Sequence, residues 1–332
     1  MENTPLKQIA APIWRKIQKE NFQNLKDLSD FLNLSPNNRS HLIDRKAFPL
    51  NLPRRLAAKI QKNTLSDPIL KQFVAFQEEA LVTEGFCSHP TQDEHFSKTS
   101  KLLKKYEKRA LLITTSACAM HCRFCFRKNY PYDNTDKSFE EELTILAEDK
   151  SIIEVILSGG DPLSLSDLHL ERLIKKIELI DHIKILRFHS RFPIGIPERI
   201  TDSFLEILKN TSLQIIFVTH INHPLELDDD VIAALKSIQK LGIPMLNHTV
   251  LLKDINDTIE TLIDLNLSLI RSGIIPYYLN QLDKVQGCAH FEVDKEKGVM
   301  LCELLREQLP GYAVPRYIEE VPGKKNKLPI TL

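Results

Sequence analysis

Three cysteines, Cys118, Cys122 and Cys125, stand at C-x3-C-x2-C spacing in the run Ser116-Ala117-Cys118-Ala119-Met120-His121-Cys122-Arg123-Phe124-Cys125-Phe126-Arg127. Half of the chain's six cysteines fall within these eight positions. A closed zinc or iron–sulfur site takes four protein ligands, so three thiolates leave one metal position open for a small molecule. An open iron can bind and reduce a substrate, whereas a closed cluster mainly passes electrons. Three buried structural thiols, or part of a zinc site, are the competing readings. A second motif, Ser158-Gly159-Gly160-Asp161-Pro162-Leu163, offers backbone groups that could approach a ligand closely, because glycine carries no Cβ. Alone, such a turn is equally a tight bend before a helix cap.

The elements that would position these residues follow a period of roughly thirty residues, the length of a βα unit. Apolar runs at Ala110–Thr115, Ile152–Leu157, Ile183–Phe188, Leu213–Thr219, Pro244–Leu251 and Ile274–Leu279 predict six strands. Helical apolar spacing falls between them at Leu168–Leu179, Ile200–Leu208, Asp229–Leu241 and Ile259–Ser272. The class is α/β, with six βα units arranged as a parallel barrel or partial barrel. The first predicted strand lacks a following G-x-G-x-x-G, which weighs against a doubly wound open sheet. Polar residues gather where each strand ends, at Ser116, Gly159, His189-Ser190, His220, His248 and Gln281-Leu282-Asp283, as one mouth requires. Residues 1–100 lack the period and predict a helical layer of short, proline-broken helices ending in the polar stretch Ser88–Ser100. Phe48-Pro49-Leu50-Asn51-Leu52-Pro53 is expected to dock rather than to link. The barrel core is assigned to 101–310 and a C-terminal segment to 311–332.

Lysine plus arginine equals aspartate plus glutamate, 44 each, so no global field argues for nucleic acid or membrane binding. No apolar stretch has signal-peptide or membrane-spanning length. Few, unevenly spaced cysteines suit a reducing compartment, and the cytoplasm is the expected location.

The cysteine run and the Gly159-Gly160-Asp161-Pro162 turn resemble the signatures of radical S-adenosylmethionine (SAM) enzymes. That resemblance implies a 4Fe–4S cluster on Cys118, Cys122 and Cys125, with SAM on the open iron beside Gly159, Gly160, Asp161 and Ser190. Tyr106-x2-Arg109, CRFCFRK, Ser190-Arg191-Phe192-Pro193, Thr219-His220-Ile221-Asn222-His223-Pro224, the run from Val250 to Asp257, Gln281-Leu282-Asp283 with His290-Phe291, and Lys327-Leu328-Pro329 narrow it to the lysine 2,3-aminomutases. The resemblance runs in order from about residue 40 to the end. It implies a partial (β/α)6 TIM-like barrel and an isomerase that makes β-lysine from L-lysine with pyridoxal 5′-phosphate (PLP). It implies that Lys327 ties PLP as a Schiff base, with Lys324 and Lys325 as the alternatives in the departing stretch Gly323-Lys324-Lys325-Asn326. Tyr106, Arg109 and His248 are implied as further PLP contacts. Arg127 is implied to hold the substrate carboxylate, and Asp283 with Glu320 the distal ammonium; Asp283 favours lysine over glutamate as substrate. Glu320 stands where longer relatives carry aspartate.

Tyr277-Tyr278-Leu279 and Leu282-Asp283-Lys284-Val285-Gln286-Gly287 resemble the branch that supplies β-lysine for translation elongation factor P (EF-P), which implies a functional link to an EF-P lysine ligase. A free-standing lysine aminomutase is the rival, and an iron–sulfur carrier or structural metal protein the rival from another class. A one-electron reductant is implied as partner, and a monomer or weak dimer is expected. His121 is expected to shape the cysteine loop, and His220 and His223 to be structural or near PLP despite a spacing zinc could use. Cys87, Cys288 and Cys302 are expected to be buried thiols.

Overall fold

The computed structural model describes residues 11–132 and 138–331. Nine strands form one sheet in strict chain order: β1 (Leu102–Tyr106), β2 (Arg109–Ile113), β3 (Glu154–Ser158), β4 (Ile185–Ser190), β5 (Gln214–His220), β6 (Met245–Val250), β7 (Ile275–Asn280), β8 (Arg316–Glu319) and β9 (Leu328–Pro329). From β2 to β8 every neighbour pairs in parallel, while β1 and β9 close the two ends antiparallel. A doubly wound sheet would reverse its order part-way, and this one does not. All six predicted strands are present, shifted by one or two residues. β1, β8 and β9 were not foreseen, and the last two carry the sheet through the C-terminal segment.

The strands are rich in Val, Ile, Leu and Phe because both faces are covered. The helices between them carry one apolar stripe and a polar cap. Asp167–Glu178 starts where Ser166 accepts from the His169 N–H, and buries Leu170, Leu173, Ile174 and Ile177. That i, i+3, i+4, i+7 spacing lays one face on the sheet. Thr201, Asp228 and Thr258 cap Asp202–Lys209, Asp229–Gln239 and Ile259–Arg271 in the same way.

The sheet is curled. Side chains from β1, β2, β3, β4, β5, β6 and β7 line one cavity, and Tyr106 on β1 donates to Glu320, just past β8, at 2.6 Å. Opposite edges of a flat sheet this wide could not touch. The architecture is therefore a partial barrel, pinned across its gap by a side chain.

The N-terminal layer consists of the short helices Ile13–Lys19, Leu25–Phe31, Pro36–Ser40, Arg54–Lys59 and Pro68–Phe73. It shares one core with the barrel: Trp14 meets the Phe192 ring edge-on at 5.5 Å. Among the described residues, no helix is long and apolar enough to cross a membrane.

Candidate active site

Past β2 the chain leaves the sheet, and its backbone is tied down on two sides. Towards the N-terminal layer, the His121 N–H donates to Asn51 O at 3.0 Å and the Arg123 N–H to Gln72 O at 2.8 Å. Asn21 donates to Ala119 O at 2.8 Å. Towards the barrel, the Gly160 and Asp161 N–H groups donate to Thr115 O and Ala117 O at 2.6 and 2.8 Å. The glycines at this turn serve that contact. A Cβ on Gly159, at φ +121°, would lie 2.5 Å from Thr115 O, and one on Gly160 2.4 Å from Ala117 O. The close approach expected for a ligand is here made by the cysteine loop itself. The Phe48–Pro53 segment docks on the same loop, with Phe48 stacked on His121 at 4.7 Å and Pro49 O 2.9 Å from His121 Nδ1.

This clamped loop turns Cys118, Cys122 and Cys125 into a cavity of about 550 Å3. Burial pushes all three thiols up, Cys118 well above the ordinary value and Cys125 to about 12. Thiolates form in such a place only beside positive charge. Arg191 supplies some, with Nη1 2.9 Å from Cys122 Sγ. It is held in turn by Glu226 at 2.7 Å and Gln72 at 2.6 Å. Among the described residues, no three His, Cys, Asp or Glu side chains converge on a single-ion site.

The Asp161 carboxylate is buried and fully engaged. It accepts from Ser190 Oγ at 2.8 Å and from the N–H groups of Leu163, Arg191 and Phe192 at 3.0, 2.8 and 3.0 Å. Burial raises it to about 6 against these bonds. Asp161 and Ser190 line the cavity, but their polar atoms bind one another and the wall.

The other end of the cavity is basic and aromatic. Lys105, Arg109, Arg187 and Lys327 line it with His189, His248, Tyr277 and Tyr278. The His248 ring lies 5.6 and 5.3 Å from those of Tyr277 and Tyr278, and 5.0 Å from His189. Burial pushes His189 and His248 well below the usual histidine range, so both are neutral near pH 7. Among the described residues, the Nε2 atoms of His189, His220 and His248, and Arg187 Nε, are buried without a partner. Lys327 Nζ lies 3.3 Å from Glu320 Oε2, while Lys324 and Lys325 are exposed and outside the cavity. Glu320 also takes Tyr106 and, at 2.6 Å, Lys105. Arg109 stacks over the Tyr106 ring at 4.7 Å.

Between the two ends stand Arg127 and Asp283. Arg127 Nε donates to Asp93 at 3.0 Å and Nη1 reaches Ser158 Oγ at 3.4 Å, which leaves Nη2 without a protein partner among the described residues. Asp283 has no side-chain hydrogen bond or ion pair there, and burial raises its carboxyl to about 6. The expected site residues therefore surround one chamber, with Glu320 committed to the protein's own cations.

Sequence reasoning missed Asp93, Lys105, Arg187 and Arg191 as site residues. Asp93 lies in the polar stretch assigned to the end of the N-terminal layer. Nothing near Arg127 in the sequence points to its partner, which lies 34 residues earlier. His121 shapes the loop as expected. His223 Nδ1 accepts the Leu225 N–H at 3.2 Å, a cap, while the His220 ring packs 5.6 Å from Phe124. Cys288 and Cys302 are buried, but Cys87 is exposed, contrary to expectation, because it lies on the surface bridge to Val285.

The sequence matches the radical SAM superfamily over residues 112–265. It is 39% identical over 291 residues to the L-lysine 2,3-aminomutase of Escherichia coli K12, covering 87% of this chain and 85% of that one. The Haemophilus influenzae enzyme of the same name is 38% identical over 318 residues, 95% and 94% of the two chains. That of Methanococcus maripaludis is 34% identical over 328 residues, 96% of this chain and 76% of the other.

Proposed function

Because the chain belongs to the L-lysine 2,3-aminomutase family of radical SAM enzymes, we propose that it moves the 2-amino group of L-lysine to carbon 3, giving β-lysine, with a 4Fe–4S cluster, SAM and PLP. When bound, the cluster and SAM supply a carbon radical and PLP carries the migrating amine. The residues present suit these groups. Cys118, Cys122 and Cys125 bring three thiols to one cavity, the donor type and number that a cluster with one open iron takes. Gly159, Gly160, Asp161 and Ser190 form the adjoining wall, where SAM would sit; Asp161 gives that wall its shape. Arg187 Nε, orphaned among the described residues, and Lys105 and Arg109 in the same cavity suit a phosphate, and His248, Tyr277 and Tyr278 suit a flat aromatic ring.

Substrate placement follows charge. Arg127 keeps Nη2 open for a carboxylate, and Asp283 offers an unpartnered carboxylate to an ammonium. Neutral His189 and His248 add no positive charge that would repel the substrate's ammonium. The observation that carries the reading is that Lys327 alone of the three tail lysines enters the chamber shared by the three thiols. β-Lysine destined for EF-P is the reading favoured by Tyr277–Leu279 and Leu282–Gly287. Identity is also higher to the two bacterial relatives matched over 85% and 94% of their length than to the one matched over 76%.

Reduced, anaerobically reconstituted protein given SAM, PLP and L-lysine should form β-lysine. A preparation with a full cluster and bound PLP that forms none overturns the proposal. Borohydride reduction and peptide mapping should place the pyridoxyl group on Lys327. EF-P isolated from a deletion strain should lack the β-lysyl mass; retention of it would reject that destination.

A further inference from the structure

The gap in the barrel holds a second cavity, of about 440 Å3, outside the chamber of the three thiols. Its walls come from both ends of the sheet. Arg109 opens β2, Arg316 opens β8, and Lys327 and Pro329 belong to the last segment. Arg306 joins them from the last turn of the helix Lys295–Gln308. Arg306, Arg316 and Pro329 are exposed, so the cavity is open to solvent. The chain balances 44 cationic against 44 anionic side chains, yet among the described residues no aspartate or glutamate lines this space. Nor do Arg109, Arg306 and Arg316 make a side-chain hydrogen bond or ion pair there. Three uncompensated guanidinium groups give the cavity a local positive potential, and their forks match phosphate oxygens. Its volume suits a small ligand.

Arg109, Tyr278 and Lys327 line this cavity and the chamber alike, so these three side chains stand between the two spaces. Arg306 and Arg316 line the outer space alone. An anion held by them has Arg109 as its next cation, and beyond Arg109 lie the chamber's Lys105 and Arg187. The chamber's other access is at its far end. Among the described residues that line it, only Ala47 and Pro49 are exposed, and Pro49 O sits 2.9 Å from His121 in the cysteine loop. A ligand bound for Lys327 through that mouth passes the thiols first. Two occupants share the phosphate chemistry of the outer cavity: PLP on its way to Lys327, and a phosphate that stays. The shared wall favours transit, because a resident anion needs no side chain in common with the chamber.

We infer that this cavity is the port through which PLP reaches Lys327, with Arg306 and Arg316 capturing its phosphate and Arg109 drawing it inward. The inference rests on Lys327 as the PLP lysine, whose amine is still free at that stage.

Full-length, cluster-loaded protein stripped of PLP by hydroxylamine, with no SAM present, decides between the two occupants. Loading is followed by visible absorption as the PLP aldehyde condenses with the Lys327 amine and releases water. The double variant Arg306→Gln/Arg316→Gln should load about tenfold more slowly at low ionic strength, and the difference should shrink in high salt. The PLP that borohydride fixes at saturation should match wild type, since neither side chain lines the chamber. Pyridoxal, which lacks the phosphate, should load at rates within about twofold of each other in the two proteins. Arg306→Lys/Arg316→Lys keeps the charges and should restore most of the PLP rate. Loading of the glutamine variant at the wild-type rate, or equal slowing with pyridoxal, overturns the inference. Radiolabelled inorganic phosphate that stays on PLP-loaded wild type and is lost from the glutamine variant shows a resident anion and overturns it too. Wild-type protein that fixes no PLP on Lys327 overturns the PLP reading beneath it.

Discussion

At the residue scale, chemistry here is set by which charges are already paired. Arg127 shares its guanidinium with Asp93, Glu320 meets two lysines and a tyrosine, and Asp283 makes no side-chain hydrogen bond or ion pair among the described residues. Burial raises the Asp283 carboxyl to about 6, so it is charged at neutral pH and becomes neutral as pH falls below that value. A neutral carboxyl no longer attracts an ammonium. Lysine affinity should therefore weaken as pH drops below about 6, approaching tenfold per pH unit, and Asp283→Asn should abolish that dependence while binding weakly throughout. A titration of wild type and variant against lysine between pH 5 and 8 (a span of about three units) checks this; an identical slope in both would assign the dependence to another group. The thiols and the glycine pair were legible in the sequence because local spacing announces them, whereas Lys327 was singled out from its neighbours Lys324 and Lys325 only by the family resemblance. Asp93 and Lys105 were not, since their partners lie at residues 127 and 320 and only the closing of the chain brings them together.

At the element scale, the cysteine loop and the Gly159–Gly160 turn form one unit. Gly160→Ala would place a Cβ 2.4 Å from a backbone carbonyl, which no rotamer relieves. The loop or the end of β3 must shift, so this variant should assemble less iron and sulfide per chain and melt earlier, by a few degrees for the 1–3 kcal/mol typical of overpacking. Iron analysis and thermal unfolding test it; full iron content at the wild-type melting temperature would show that the contact is soft. The βα period gave six of the seven parallel strands and four of the helices between them within a residue or two, because covered strands and amphipathic helices differ in apolar spacing. β1, with the sequence LLKKY, and the two-residue β9 carry no such contrast. They are edge strands, made by pairing rather than by composition.

At the scale of the whole molecule, the N-terminal layer is a structural part of the site. Arg123, inside the cysteine run, is buried against Glu79 through Nε at 2.9 Å and against Phe48 O at 2.7 Å. Breaking a buried pair from one side costs about 3–5 kcal/mol, because the other charge stays behind. Glu79→Gln should lower stability towards that amount in denaturant unfolding and make the loop thiols of cluster-free protein react faster with an alkylating reagent. Unchanged alkylation would mean that the layer does not hold the loop.

The clamps on the cysteine loop also set a timetable for synthesis. Glu226, which anchors Arg191 beside Cys122, lies about a hundred residues after Cys125 in the chain. At roughly 5–20 residues per second, the ribosome needs about 5–20 s to deliver it. For that interval the three thiols are out of the tunnel but not yet walled in, open to metal carriers and oxidants alike.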